Sequence, residues 1–137
     1  MAFNWKDFLT FAENIKAAPD KPGPQEAALR SAVSRAYYAA FQAALEFGAS
    51  EKFSPQWSGE DHFGIRKYFQ QYSPKSDVRR KIALELQRLY DNRRKADYTK
   101  AIVNPTFLAD WSIKSSQVIF LNLEQLTQEK RNTATSP

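Results

Sequence analysis

The sequence predicts an all-α fold, an antiparallel bundle of four to five helices. Three observations carry this reading. Apolar residues recur at intervals of three and four over long stretches. Breaks rich in proline and glycine separate those stretches. No stretch shows the apolar–polar alternation of a half-buried strand. Short connections between the stretches favour antiparallel neighbours.

The first helix is expected over about 4–18, NWKDFLTFAENIKAA, with Asn4 as N-cap and Trp5, Phe8, Leu9, Ala12 and Ile15 at helical spacing. PDKPGP at 19–24 ends it, because three prolines and a glycine do not continue a helix. The second helix runs from about 24 to 47. Pro24 suits its first turn, its alanines favour helix and close packing, and Gly48 reads as its stop. A third, shorter helix is expected at 60–72, after the loop GASEKFSPQWSG. The fourth covers about 76–101, with Ser76 or Asp77 as cap. Asn104–Pro105 closes it, and Thr106 is read as the cap of a fifth helix over 107–130. Residues 1–131 are thus one domain and 132–137 a flexible C-terminal tail.

An aromatic content of 14% argues against disorder, which needs few aromatics. No apolar run approaches the roughly 18–20 residues of a membrane span. The N-terminal MAFNWKDFLT lacks the basic region and apolar block of a secretory signal, so a cytoplasmic protein with no membrane association is expected. With no cysteine there is no disulfide and no thiolate metal site. The single histidine, His62, excludes a His-rich metal site within one chain, and no metal or cofactor is expected. The net charge is +5. Residues 79–100 hold eight Lys or Arg against three acids, a local excess equal to that of the whole chain. Such a stripe suits an anionic partner, and equally a solvated helix face.

Two helices carry polar residues where an apolar stripe is heading. On the second, Ser31, Arg35, Tyr38 and Gln42 follow one another at helical spacing among alanines, as in a half-buried seam or a subunit contact. On the fourth, the stripe Ile82, Leu86, Leu89 runs into Arg93, Asp97 and Tyr98 in the segment LYDNRRKADYTK. A buried arginine requires a partner, and Asp97 lies one turn from Arg93. His62 points along the apolar face of Ile65 and Phe69 and reads as a packed residue at a helix start; the sharper alternative has it folding back towards Arg93 as a proton carrier.

The segments RSAVSRAYYAAFQAAL (30–45), HFGIRKYF (62–69) and LYDNRRKADY (89–98), in this order on successive helices, resemble the HEPN superfamily of small helical domains. The resemblance covers nearly the whole chain and is nearest the prokaryotic branch with S-R-A-Y-Y-A on one helix and R-x-x-A-D-Y on a later one. It implies a HEPN-like bundle, commonly a homodimer, acting in toxin–antitoxin or defence systems, often beside a small nucleotidyltransferase that serves as antitoxin. Active members are metal-independent endoribonucleases with an R-x4-6-H motif. Aligned on Arg93, that histidine position holds Tyr98, which argues against ribonuclease activity by the usual route. A phenol with a pKa of about 10 is a poor base at neutral pH. A tyrosine that some toxins carry two residues further on, where adenylylation silences them, is replaced by Lys100.

The resemblance and the residue chemistry together nominate Arg93, Asp97 and Tyr98 for a catalytic centre. They nominate Arg35, Tyr38 and Arg94 for RNA or nucleotide binding, since arginine offers a fixed fork for phosphate and tyrosine a face for a base. The competing reading is a non-catalytic dimeric scaffold, or a partner-binding subunit of a larger complex. In that reading Ser34, Arg35, Asp97 and Tyr98 form a buried network that fixes helix register.

Overall fold

A computed structural model describes residues 2–135. Five helices follow one another: α1 (Lys6–Ala17), α2 (Gln25–Ala49), α3 (Asp61–Gln71), α4 (Asp77–Tyr98) and α5 (Pro105–Thr135). Among the described residues there is no strand, so the chain is a helical bundle. Helix α2 is the hub and packs against each of the other four. The reason lies in its side chains: Ala28, Ala32, Ala36, Ala39, Ala40 and Ala44 are all buried. Small residues on several faces of one helix let neighbours approach closely, because interaxial distance follows the side chains at the contact. Larger residues then fill the gaps, with Tyr37, Phe69, Ile65, Ile82, Leu86, Leu89 and Ile119 nearly inaccessible.

The helix ends depart from the sequence reading in instructive ways. Ser76 does cap α4, its Oγ accepting from the Arg79 backbone N at 3.2 Å. Asn4 accepts from the Lys6 backbone N at 3.1 Å. The cap of α5 is Asn104 rather than Thr106: its Oδ1 accepts from the Phe107 N at 3.0 Å, and Pro105 takes the first helical position. Gly48 does not stop α2, which continues to Ala49. A Cβ on Gly48 would lie 2.9 Å from Ile65 Cδ1 and 3.1 Å from Phe53 Cβ, so the glycine is there for close packing of α3 and its leading loop. Helix α5 continues past the expected end at 130 to Thr135, and residues 136–137 of the expected tail lie outside the described residues.

The loop before α3 is pinned by a buried carboxylate. Asp61 accepts from the backbone N of Gln56 and of Trp57, each at 2.9 Å. Trp57 takes a positive φ of 57°, a conformation costly for a bulky residue, and these two bonds hold it there. The anchor fixes the first turn of α3 and with it the neighbouring His62.

A second clasp closes the opposite end of α3. Arg79 donates to both oxygens of Glu51, at 3.0 and 2.8 Å, and Tyr68 donates its hydroxyl to the same carboxylate at 2.7 Å. The Arg79 guanidinium also lies 3.6 Å from the Tyr72 ring centroid. Both charges are nearly dry, with side chains 8% and 5% exposed. Burial pushes the Glu51 carboxyl up, but the bonds from Arg79 and Tyr68 outweigh it and hold the group below the usual glutamate range. Such a pair is costly to break from one side, because the remaining charge stays buried. Glu51→Gln is expected to lower the unfolding free energy by about 3 kcal/mol in urea titration. The depressed pKa fixes the sign with pH. The stabilisation is complete above the unfolded-state value of about 4.3 and is lost as pH falls below it, so the wild-type advantage over the variant should shrink on acidification.

Candidate functional site

The apolar stripe of α4 carries Ile82, Leu86 and Leu89 into the core, and the next turn delivers Arg93 to the same face. Arg93 is 9% exposed. Its Nη1 lies 3.4 Å from Asp97 Oδ2, while Ser34 of α2 donates its hydroxyl to Asp97 Oδ1 at 2.6 Å. The shorter bond is the interhelical one, so Asp97 ties α4 to α2 as well as neutralising Arg93. One turn before Ser34, Arg30 donates to the carbonyls of Ala96 at 3.0 Å, Thr99 at 2.6 Å and Lys100 at 3.1 Å. It thereby satisfies the orphan carbonyls at the C-terminus of α4 from a neighbouring helix. This explains why α4 ends at Tyr98, short of the expected 101.

Around Arg93 the three helices present aromatic rings and further cations. Its guanidinium carbon is 5.6 Å from the Tyr37 ring centroid, 5.8 Å from Tyr38, 5.5 Å from Tyr90 and 6.0 Å from Tyr98. Arg66 of α3 stands 4.8 Å from the same Tyr90 ring, and Arg94 donates to the Tyr90 hydroxyl at 3.4 Å. His62 stacks on Phe41 at 4.3 Å, and its Nδ1 shares a short hydrogen bond with the Tyr37 hydroxyl. Arg66 Nη1 and Arg93 Nε are buried with no hydrogen-bond partner among the described residues.

The charges shape each other. Burial opposes the positive charge of Arg93, but Tyr38, Tyr98 and Asp97 more than offset it, so it remains protonated. Burial, followed by the Arg93 and Arg66 charges, pushes His62 below the usual imidazole range, against a smaller opposing effect of Asp61. The imidazole is therefore neutral at pH 7. Burial pushes the Tyr37 phenol upward despite both arginines, so it keeps its proton in its short hydrogen bond with His62 Nδ1. The hydrogen bond from Arg94 draws the Tyr90 phenol below its ordinary range.

The six residues nominated from sequence divide into two groups. Arg93, Asp97, Tyr98 and Arg94 share the end of α4, where Arg93 is buried and Tyr98 is 73% exposed. Arg35 and Tyr38 sit on α2 and, with Arg30, Ser31, Ser34 and Asp97, line a small polar hollow of about 280 Å³. The expected Ser34–Asp97 link is present, but the Arg35 guanidinium is stacked 4.9 Å from the Phe8 ring of α1 and 5.5 Å from Tyr38. The basic stripe over 79–100 does not act as one surface. Arg79 is buried with Glu51, Arg80 pairs with Asp77, and Lys81 and Arg88 share Glu85. What persists is a tighter cation cluster to which another helix contributes. Arg66, Tyr37 and Arg30 were missed in the sequence. Arg66 follows His62 by one turn and Arg30 precedes Ser34 by one turn, a spacing that marks both.

No family model, curated protein or solved structure matches the chain. The chemistry is therefore read from the residues themselves. Among the described residues no cluster of His, Cys, Asp and Glu could hold a metal ion. The cluster offers fixed cations, planar rings and a neutral imidazole, a set suited to holding an anion attached to an aromatic base.

The bracing role of Asp97 is directly testable. Asp97→Ala removes the acceptor of Ser34 and the counter-charge of a buried arginine, and should lower stability by about 2 kcal/mol. Asp97→Asn keeps an acceptor for Ser34 and should lose less. Equal stability of wild type and both variants in urea denaturation would show that the carboxylate has no bracing role.

Proposed function

We propose that this chain is a HEPN-type domain that binds RNA or a nucleotide as a component of a toxin–antitoxin or defence system. The observation that carries the reading is Arg93, a nearly buried cation surrounded by Tyr37, Tyr38 and Tyr90 and retaining an unpartnered Nε. A cation kept in the interior at such cost, beside aromatic faces and further arginines, fits recognition of a phosphate and its base. The motif order noted in the sequence supports the family reading, and with it a homodimer and a nucleotidyltransferase partner. Asp97 has both oxygens engaged, by Ser34 and Arg93, which favours a bracing role over that of a general base.

The test is binding of a short single-stranded RNA and of adenosine monophosphate, followed at several salt concentrations. Wild type should bind RNA with an affinity that falls steeply with salt. Arg93→Gln should weaken binding by at least about tenfold and flatten the salt dependence by about one charge. Absence of binding to both probes at low salt overturns the reading.

A further inference from the structure

We propose that Arg66 and His62 of α3 join Arg93 of α4 in a phosphate-binding site built round the Tyr90 ring. The inference rests on the reading above but assigns half of the site to a helix that neither motif residue occupies. Three groups from two helices converge on one ring. The guanidinium carbons of Arg66 and Arg93 lie 4.8 and 5.5 Å from the Tyr90 centroid, and the His62 ring lies 5.6 Å from it. Arg94 adds a third cation at 5.9 Å. Against these, Asp97 is the carboxylate paired with Arg93.

The second observation is the pair of unmet donors. Arg66 Nη1 and Arg93 Nε are buried and have no acceptor among the described residues. A buried charged donor without an acceptor costs on the order of a hydrogen bond or more, and adjacent guanidiniums repel. A phosphate group seated at the Tyr90 ring would relieve both penalties, because its oxygens accept from several N–H donors at once and its charge offsets those of the cations. His62 completes the set. In the tautomer where the Tyr37 hydroxyl donates to Nδ1, the neutral ring carries its proton on Nε2 and presents a further donor to the phosphate. Tyr90 supplies the flat surface on which the guanidiniums rest.

A consequence follows for protons. His62 is faced by Tyr37 and Tyr38 from α2, by Asp61 and Arg66 from α3, and by Tyr90 and Arg93 from α4. In the free chain the two arginines oppose a charge on the ring. A bound phosphate offsets them, so binding is coupled to proton uptake at His62, and by linkage affinity rises as pH falls through the titration midpoint of the ring.

His62 is the one histidine of the chain, so its ring proton resonance in ¹H NMR reports the site without ambiguity. The probe is dimethyl phosphate, whose single charge does not change over the titration range, compared with chloride at equal ionic strength. Saturating probe should raise the His62 midpoint by about one pH unit, equivalent to roughly tenfold tighter binding to the protonated ring. Arg66→Gln should raise the midpoint of the free chain and remove most of the probe-induced shift. Arg66→Lys should restore part of it, and Lys21→Gln, on the turn before α2, should change nothing. Circular dichroism of each variant checks that the bundle is intact. An equal midpoint in probe and chloride, or a full shift retained in Arg66→Gln, overturns the site.

Adenosine monophosphate and a short single-stranded RNA distinguish the sources of the phosphate. A larger shift with the mononucleotide assigns the site to a free nucleotide, and a larger shift with RNA assigns it to the backbone of a strand. RNA binding that needs Arg93 but not Arg66, with His62 unmoved, overturns this inference and leaves the functional reading intact. A dimethyl phosphate shift without binding of either nucleotide probe does the reverse.

Discussion

The bundle depends on how closely its neighbours can approach α2. Six buried alanines on that helix leave room for contacts with α1, α3, α4 and α5 at once. A helix bearing leucines at those positions would hold its neighbours further off, and polar groups on opposing helices could not meet directly. Ser34 reaches Asp97 at 2.6 Å because its own side chain is short and α2 packs closely on α4. The same closeness lets Arg30 extend over the end of α4. Dense packing of small residues thus does more than stabilise the core. It brings Arg30 and Ser34 of α2 within bonding distance of the end of α4.

The molecule contains two charge clusters of opposite character. At one end of α3, Glu51 and Arg79 meet in a bidentate pair, and Tyr68 supplies a further bond to the carboxylate. In the other cluster, Arg66 of α3 and Arg93 and Arg94 of α4 gather round Tyr90 with unmet donors among them. Folding alone favours the first kind of arrangement and penalises the second. Local conflict of this sort is expected where a surface serves a ligand and the cost is offset elsewhere in the fold.

The helices were legible because long amphipathic stretches separated by proline and glycine leave little ambiguity. What the sequence could not show was which residues of different helices share a volume. Gly48 has the chemistry of a stop signal, yet only the proximity of Phe53 and Ile65 reveals its packing role. The stripe at 79–100 looked continuous because charge was counted along the chain, whereas Glu51 and Asp77 neutralise parts of it in space. Of the seam on α2, Tyr38 faces Arg93 at the end of the interrupted stripe on α4, while Arg35 lies against Phe8 of α1. In the sequence Arg66 is marked only by its one-turn spacing from His62, and its place in the cluster becomes visible once Tyr90 stands beside it.

The position of Arg93 follows from constraints on both sides of it. Exposed arginines usually relieve poor hydrogen bonding by swinging into water. Arg93 has little freedom to do so. Leu89 and Ala96 bury the turns on either side, Ser34 holds Asp97, and Arg30 fixes the carbonyls at the end of the helix. Tyr37, Tyr38 and Tyr90 enclose the remaining directions. The guanidinium is consequently presented in one place whether or not an acceptor is there, and little side-chain entropy remains to be lost on binding. Burial, together with this same fixed cation and Arg66, holds the His62 imidazole below its usual range. In this fold the aspartate and the serine hold the arginine, and its Nε is left without a hydrogen-bond partner among the described residues.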